Sequence, residues 1–342
     1  MPTSVAVIIP HHNGQQMLAD CLSSLSRTDY DDYCIYLVDN ASSDGSPQWA
    51  KKNHPGIKII ASEKNLGYAG GCNLGIRSTT EDYVVLLNND TEVEPGWLTR
   101  LVFEMDQDQT VAAAQPKILW LKDRSLFDYS GGAGGMMDIF GFPYCLGRLF
   151  ESKEKDSGQY NGKIRDIFWA SGSASIYRRS ALDKTGLLDE DFFMHMEEID
   201  LAWRMHLTGF RVISVPNSVI YHLSGGSLPA GNFRKMYLNH RNSLLMLWKN
   251  YSPASLMWVW PLRQALEMMA FIKALISGNL EWAKAIVQAT LWVIENPRMV
   301  WKKHREVQNI RSVNDRIIME KMHRGSIAVK YFLQSKRAAN QL

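Results

Sequence analysis

No stretch of this chain is long and apolar enough to read as a membrane span. The strongest candidate, Leu256 to Ile276, is broken by Arg263, Glu267 and Lys273, and a spanning helix needs roughly 18 or more uninterrupted apolar residues. A basic leader with a short apolar run and a small-residue cleavage site is also missing. Val5 to Pro10 already reads as a strand, so the expectation is a cytoplasmic rather than a secreted protein. Cysteine is scarce: Cys21, Cys34, Cys72 and Cys145 form no C-x-x-C pair and no metal-ligand spacing. Their apolar or small-residue settings suit reduced, buried thiols. The G-x-G-x-x-G fingerprint is absent, which disfavours a dinucleotide oxidoreductase. No low-complexity tract or solenoid repeat appears.

With 342 residues, 46% hydrophobic and 21% charged, the chain can bury a sizeable core in one large domain or two modest ones. Its net charge of +3 conceals a split. Residues 231–342 carry 18 Lys and Arg against 6 Asp and Glu, whereas residues 1–230 carry 20 against 29. The expected organisation is therefore an acidic domain over 1–230 and a basic region over 231–342. That region separates apolar from polar faces instead of interleaving stacking aromatics with cations, so nucleic acid is not an expected partner.

Apolar periodicity predicts strand and helix in alternation through the first 90 residues. Strands are expected at Val5–Pro10, Cys34–Val38, Ile57–Ala61 and Tyr83–Leu87, with helices at Gln16–Ser26, Gln48–Asn53 and Gly70–Ser78. Such units build a parallel sheet covered on both faces, with its functional groups in loops after the strand C-termini. His11 to Asn13, Asp39-Asn40, Asn65 and Asn88 to Asp90 all occupy such loops. Beyond them, Ser130 to Gly147 is rich in glycine and aromatics and Glu151 to Gly162 is polar, which suggests a mobile flap or acceptor-side loop. Strands are expected at Asp166–Ala170, Ala174–Arg178, Phe210–Val215 (halted by Pro216) and Val219–Leu223, and helices at Ser180–Thr185 and Glu198–Thr208.

Four constellations carry chemistry. Asn88-Asn89-Asp90 closes a buried-type strand with a carboxylate where a sheet opens its ligand crevice, a natural place to hold a metal on a diphosphate. Asp39 and Asn40 either meet a base or ribose there or merely start the turn. Asn65-Leu66-Gly67-Tyr68-Ala69-Gly70-Gly71-Cys72-Asn73 lets a ligand approach the backbone and aims helix amides at an anion. Glu197-Glu198-Ile199-Asp200 gathers three acids beside Phe192 to Met196, and an apolar wall next to acids raises a carboxyl pKa toward that of a working base. His222, in Tyr221-His222-Leu223-Ser224-Gly225-Gly226-Ser227, reads either as a metal ligand or as a satisfied core histidine. Arg241 could reach a diphosphate or form a surface ion pair.

These segments, in this order over roughly residues 5–230, resemble glycosyltransferase family 2, notably its rhamnosyltransferase-like branch. The resemblance implies an α/β GT-A fold, Rossmann-like with a mainly parallel sheet flanked by helices, here followed by a C-terminal helical region. It also implies inverting transfer from a nucleoside-diphosphate sugar, of the dTDP or UDP kind, to a hydroxyl of a glycan or lipid-linked acceptor, with Mg²⁺ or Mn²⁺ on the diphosphate. Position by position, it puts the nucleotide near Pro10, Asn13, Asp39, Asn65, Gly67 and Asn88, and the metal on Asp90, with the diphosphate or His222 completing the shell. The base falls on Glu198, with Glu197 and Asp200 as competitors. Two departures, Asn88 where an aspartate is common and Glu198 where the shorter acid is common, leave open a non-catalytic nucleotide-sugar-binding scaffold.

In the basic region, Arg263, Glu267 and Lys273 fall on one side of the Leu256–Ile276 helix and leave a broad face of Trp, Met, Leu and Phe. Asn279 to Ile294 repeats the design. The expectations are an amphipathic module docking on the inner membrane face, or a helical subdomain packed on the catalytic domain or on a second copy of the chain.

Overall fold

The computed structural model describes residues 3–224 and 232–342. The boundary expected at residue 230 and the Gly225 to Ser227 part of the His222 segment lie outside the described residues. The first half alternates as expected: β1 (Val5–His11), α1 (Gln15–Leu25), β2 (Tyr33–Asn40), α2 (Ser46–Asn53), β3 (Lys58–Ser62), α3 (Gly67–Arg77) and β4 (Tyr83–Leu87). β5 (Thr91–Val93), α4 (Trp97–Gln107), β6 (Val111–Trp120) and β7 (Asp123–Phe127) follow. None of these four is among the predicted elements. β6 is buried along almost its whole length, so it shows no alternation of the kind that marks a half-exposed strand.

The segment expected to be a mobile flap is instead packed. β8 (Gly135–Met137), β9 (Pro143–Cys145), β10 (Arg148–Leu149) and β11 (Ser152–Lys153) form a small antiparallel sheet, with Met137, Cys145 and Leu149 buried. Its glycines permit close approach; a Cβ on Gly135 would lie 2.2 Å from the Trp169 ring. β12 is only Arg165–Asp166, shorter than expected, and is followed by β13 (Ala174–Arg178), α5 (Arg179–Thr185) and α6 (Glu197–Leu207). The two strands expected around Pro216 are one, β14 (Arg211–His222), whose register shifts between Val215 and Val219. A bulge at Pro216 accommodates a residue that cannot donate to the ladder.

The main sheet runs β12-β14-β6-β13-β4-β1-β2-β3, with β5 added on β14 and β7 on β6. β1 to β4 are mutually parallel where paired and β6 is parallel to β14, while β13 runs antiparallel between β4 and β6. In β1, Ala6 and Ile8 face one core while Val5, Val7 and Ile9 face the other. Two covered faces explain why these strands read as continuous apolar runs. α3 packs so tightly that a Cβ on Gly75 would lie 2.4 Å from Ile8 Cγ2.

The last third is helical: α7 (Phe233–Asn250), α8 (Pro253–Ile276), α9 (Leu280–Glu295), α10 (Pro297–Ile310), α11 (Asp315–Glu320) and α12 (Ile327–Leu333). Leu244 to Leu247, Tyr251, Val259, Val293 and Val300 join the same core as Ile8 and Val84. Buried charges tie the two parts together. Lys249 of α7 bonds Asp200 at 2.9 Å and Asp189 at 2.5 Å, and Lys303 of α10 bonds Asp189 at 2.7 Å. No described helix is long and apolar enough to cross a membrane.

Candidate functional site

The C-terminal ends of β1, β2 and β4 bring the first group together. His11 stands opposite Asp39 in the β1–β2 register, and Asn89 Nδ2 donates to His11 Nδ1 at 2.8 Å. The other ring nitrogen then carries the proton and donates to Ser46 Oγ at 2.6 Å. Burial, only partly opposed by Asp44 and Asp39, lowers the His11 pKa and keeps this ring neutral. Asn40 pins the glycine turn to β2: its Oδ1 accepts from the Leu66 amide and its Nδ2 donates to the Gly67 carbonyl, both at 2.8 Å. Gly67 itself has φ +73°, and a Cβ there would lie 2.5 Å from the Phe193 carbonyl oxygen, so only glycine fits. Asp39 Oδ1 accepts from the Ser42 amide, Asn13 Oδ1 from the Ser43 amide and Asn65 Oδ1 from the Gly67 amide, each at 2.8 Å. Asp39, Pro10 and Asn13 are half-buried and Asn65 is exposed. Asp39, Asn13 and Asn65 are thus turn-forming groups that, with Pro10 near the end of β1, rim one end of the sheet.

A second group sits where β14 ends against β5. His222 Nδ1 donates to Asp128 Oδ1 at 2.9 Å, which leaves Nε2 facing Asp90 Oδ1 at 3.2 Å. Asn88 Nδ2 lies 3.4 Å from the same Nε2. Asp90 is buried, and its Oδ1 has no well-aligned hydrogen-bond donor among the described residues. Burial disfavours the imidazolium, but Asp90 and Asp128 outweigh it and raise the His222 pKa to about 10. At that pKa the ring is an imidazolium between the two carboxylates; a divalent cation between Asp90 Oδ1 and Nε2 would displace the Nε2 proton and take one oxygen and one nitrogen ligand there. No set of three or more acidic, histidine or cysteine side chains converges as a complete cage among the described residues. A cation held here would take its remaining positions from a bound ligand or water. Asp128 is absent from the predicted site; it directly follows β7, a strand that the sequence pattern did not reveal.

The acids of α6 form the third group. The loop before them is strained, with Phe193, His195 and Met196 at φ of 64°, 71° and 72°, a left-handed conformation that costs non-glycine residues about 1–3 kcal/mol each. α7 holds it in place. The Asn242 amide is shared among the carbonyls of Phe192, Met194 and His195 at 2.8–3.0 Å, and Arg241 donates to the Asp191 carbonyl at 2.6 Å. Arg241 is thereby used in holding the loop rather than in a surface ion pair. Glu197 is buried and Glu198 half-buried, and each has a carboxyl oxygen with no hydrogen-bond partner among the described residues. Burial raises the Glu198 pKa to about 7, against the pull of backbone amides that include Gly172, and raises Glu197 well above the carboxylate range.

Gly172 links this acid to the metal-type group. It lies two residues before Ala174, which pairs with Leu87 at the end of β4, and the Asn88 amide donates to the Ser173 carbonyl at 3.0 Å. Glu198, through the Gly172 amide, and Asn88, through Ser173, are thus both attached to the same end of the β4–β13 pair. The buried Cys145 thiol feels the charge of both Asp128 and Glu198. Asp200 points elsewhere. It is fully buried and bonded to Arg204 at 3.0 Å, Lys249 at 2.9 Å and Asn250 at 2.9 Å, so its place in the competition for the base is a correction. Two residues on in a helix, a side chain points about 200° round from Glu198, and here that direction is the interface with α7. A cavity of about 540 Å³ around Asp82, Asp106 and Arg178 lies at the opposite end of the strands and contains none of these residues.

Residues 6–186 match the Glycosyl transferase family 2 model. The chain belongs to glycosyltransferase family 2. Its sequence is 26% identical over 262 residues to the N-acetylglucosaminyl-diphospho-decaprenol L-rhamnosyltransferase of Mycobacterium tuberculosis, covering 72% of this chain and 83% of that protein. In fold, this family 2 protein resembles GalNAc-T7 solved with UDP, GalNAc and Mn²⁺ (TM-score 0.58, 16% identity, 77% of this chain and 51% of that one). It thus spans about half the length of that structure. The mannosyltransferase PcManGT from Pyrobaculum calidifontis, solved with GDP-Man and Mn²⁺, aligns over 98% of this chain and 89% of its own (TM-score 0.50, 18% identity). These likenesses establish the GT-A fold, and family membership makes glycosyl transfer the activity.

Proposed function

We propose that this protein transfers rhamnose or a similar hexose, with inversion, from a dTDP- or UDP-sugar to a hydroxyl of a glycan or lipid-linked acceptor in cell-surface polysaccharide synthesis. One observation supports the reading: a carboxyl poised at about pH 7, Glu198, takes the amide of Gly172 next to the strand end that leads into Asn88 to Asp90, and Asp90 pairs with His222. The mycobacterial relative, named for rhamnosyl transfer to a diphospho-decaprenol-linked sugar, supports both the donor class and the lipid-linked acceptor. The Mn²⁺ and nucleotides named in the two structural neighbours support a metal-assisted nucleotide-sugar site.

Glu198, ionised, takes the proton of the acceptor hydroxyl as that oxygen attacks the anomeric carbon. The attack comes from the face opposite the diphosphate, so the configuration inverts. Glu197 lies deeper and holds its own proton more tightly, which favours Glu198 as the group that cycles. Asp39 receives the base or ribose, with Pro10, Asn13, Asn65 and Gly67 bordering the nucleotide and Asn88 beside the diphosphate. Asp90 and His222 would hold Mg²⁺ or Mn²⁺, which when bound neutralises charge on the leaving diphosphate as a Lewis acid. Asp128 fixes the His222 tautomer so that Nε2 faces Asp90. The test is a panel of nucleotide sugars with purified protein, an acceptor and Mn²⁺ or Mg²⁺, reading free nucleoside diphosphate. Release from a thymidine or uridine sugar is expected; silence with every donor and acceptor overturns the reading.

A further inference from the structure

Helix α8 is inside out for a helix in water. Arg263 and Glu267 are only 1% and 3% exposed. They bond each other at 2.7 Å, with Arg263 also donating to the Phe140 carbonyl and Ser243, and His240 to Glu267 at 2.8 Å. The Arg263 and Glu267 part of the charged side therefore packs on the protein, while Lys273 stays exposed. Solvent instead meets Met257 (80% exposed), Trp258, Leu262, Met268, Met269, Ile272, Leu275 and Ile276 (83% exposed). The face continues through Leu280, Val287, Leu291 and Ile294 of α9 to Trp301 of α10. Of the 19 large apolar side chains exposed among the described residues, 13 lie between 257 and 301. At 1.5 Å per residue the 24 residues of α8 alone make a strip about 36 Å long. Soluble monomers rarely leave so much contiguous apolar surface uncovered.

Charge identifies what covers it. α8 exposes no acid, because Glu267 is its one acidic residue and is buried. Lys273, Lys284, Arg298, Lys302 and Arg305 are exposed around the hairpin, against Glu281, Glu295 and Glu306, within a region whose net charge is +12. Cations also lead from the hairpin toward the active loop. Lys284 of α9 lies 5.3 Å from the Phe233 ring centre, and Arg234 lies 4.5 Å from that of Phe193, just before the acids of α6. A second copy would bring a like-charged rim against this one, whereas a bilayer containing anionic lipid satisfies apolar face and basic rim together. We propose that the exposed face of α8 and α9 seats this enzyme on an anionic membrane surface. The proposal deepens the function above and rests on its lipid-linked acceptor, because the rim would direct an amphiphile's anionic head toward Glu198.

The full chain should float with vesicles of phosphatidylglycerol and phosphatidylcholine at low salt, and its tryptophan emission should shift to the blue and be quenched by brominated lipid. The triple variant Leu262→Glu, Met269→Glu, Ile276→Glu changes exposed positions only and should lower the bound fraction at least about tenfold. Phe103→Glu, exposed on α4, should leave it unchanged. Wild-type protein that stays in the soluble fraction with unquenched tryptophans overturns the proposal, whatever the variant does. So does a wild-type dimer in light scattering that the triple variant turns into a monomer while neither floats, since a second copy then covers the face. Nucleoside diphosphate release with a water-soluble acceptor, unchanged in the triple variant, separates the two claims. Turnover without vesicle binding removes only the membrane seat, and vesicle binding without turnover on any donor removes only the transferase reading.

Discussion

Replacing Glu198 by glutamine tests the base and the cost of keeping it. The amide is isosteric and its oxygen still accepts from Gly172, so the pocket should keep its shape. Loss of a general base lowers turnover by roughly 10² to 10⁴, while donor binding, carried at the other end of the site, should persist. The pH profile makes the test sharper. A base must be ionised to act, and the Glu198 pKa is raised by burial to about 7. Wild-type turnover should therefore fall about tenfold for each pH unit below 7 and level off above it, and Glu198→Gln should lose that acid limb. Stability should move the opposite way. A carboxyl whose folded pKa exceeds its ordinary 4.5 binds its proton more tightly folded than unfolded. Its contribution is fully present below about pH 4.5 and is lost as pH rises through about 7, a difference of about 3 kcal/mol. In urea titrations Glu198→Gln should gain about that much at pH 8 and almost nothing at pH 4. A variant within a few-fold of wild-type turnover, or one that keeps the acid limb, refutes the assignment. A variant destabilised at pH 8 refutes the account of its burial.

Other groups give independent checks. Asp90→Ala should abolish the metal-dependent part of nucleoside diphosphate binding in calorimetry while leaving the weak metal-free part; equal binding with and without Mn²⁺ in the wild type removes the metal site. Asp128→Asn, which never touches the cation, should weaken Mn²⁺ binding by about 10- to 100-fold, as loss of an outer hydrogen bond to a ligating histidine does, measured by Mn²⁺ spin resonance with diphosphate present. Asp200→Ala strands Arg204 without its buried counter-charge, while Lys249 keeps Asp189, and should cost about 3–5 kcal/mol in urea; full stability together with lost turnover would return Asp200 to the role of base. Asn242→Leu removes the amide shared by three loop carbonyls and should cost about 1–3 kcal/mol, with a larger loss in kcat than in donor affinity because the loop presents Glu198.

The sequence by itself determined the parallel βα units, because strands buried on both faces leave continuous apolar runs and their helices leave 3.6-residue periodicity. It also determined which residues stand at strand ends, since Asp39, Asn65 and Asn88 to Asp90 each follow such a run directly. Local pattern carried no trace of β6, whose ten residues are almost all buried with no alternation, nor of the packing at Ser130 to Gly147, where glycine and aromatics signal a loop and a tight sheet equally. Only the tertiary structure decided among Glu197, Glu198 and Asp200, because what separates them is the partner each meets: an apolar enclosure, the Gly172 amide, or Lys249 from 49 residues away. It likewise decided that Asp128 stands behind His222, 94 residues apart in sequence. In α8, amphipathicity fixed that two faces exist, but which one meets solvent followed from the buried ion pairs that Arg263 and Glu267 find against α7 and the Phe140 carbonyl.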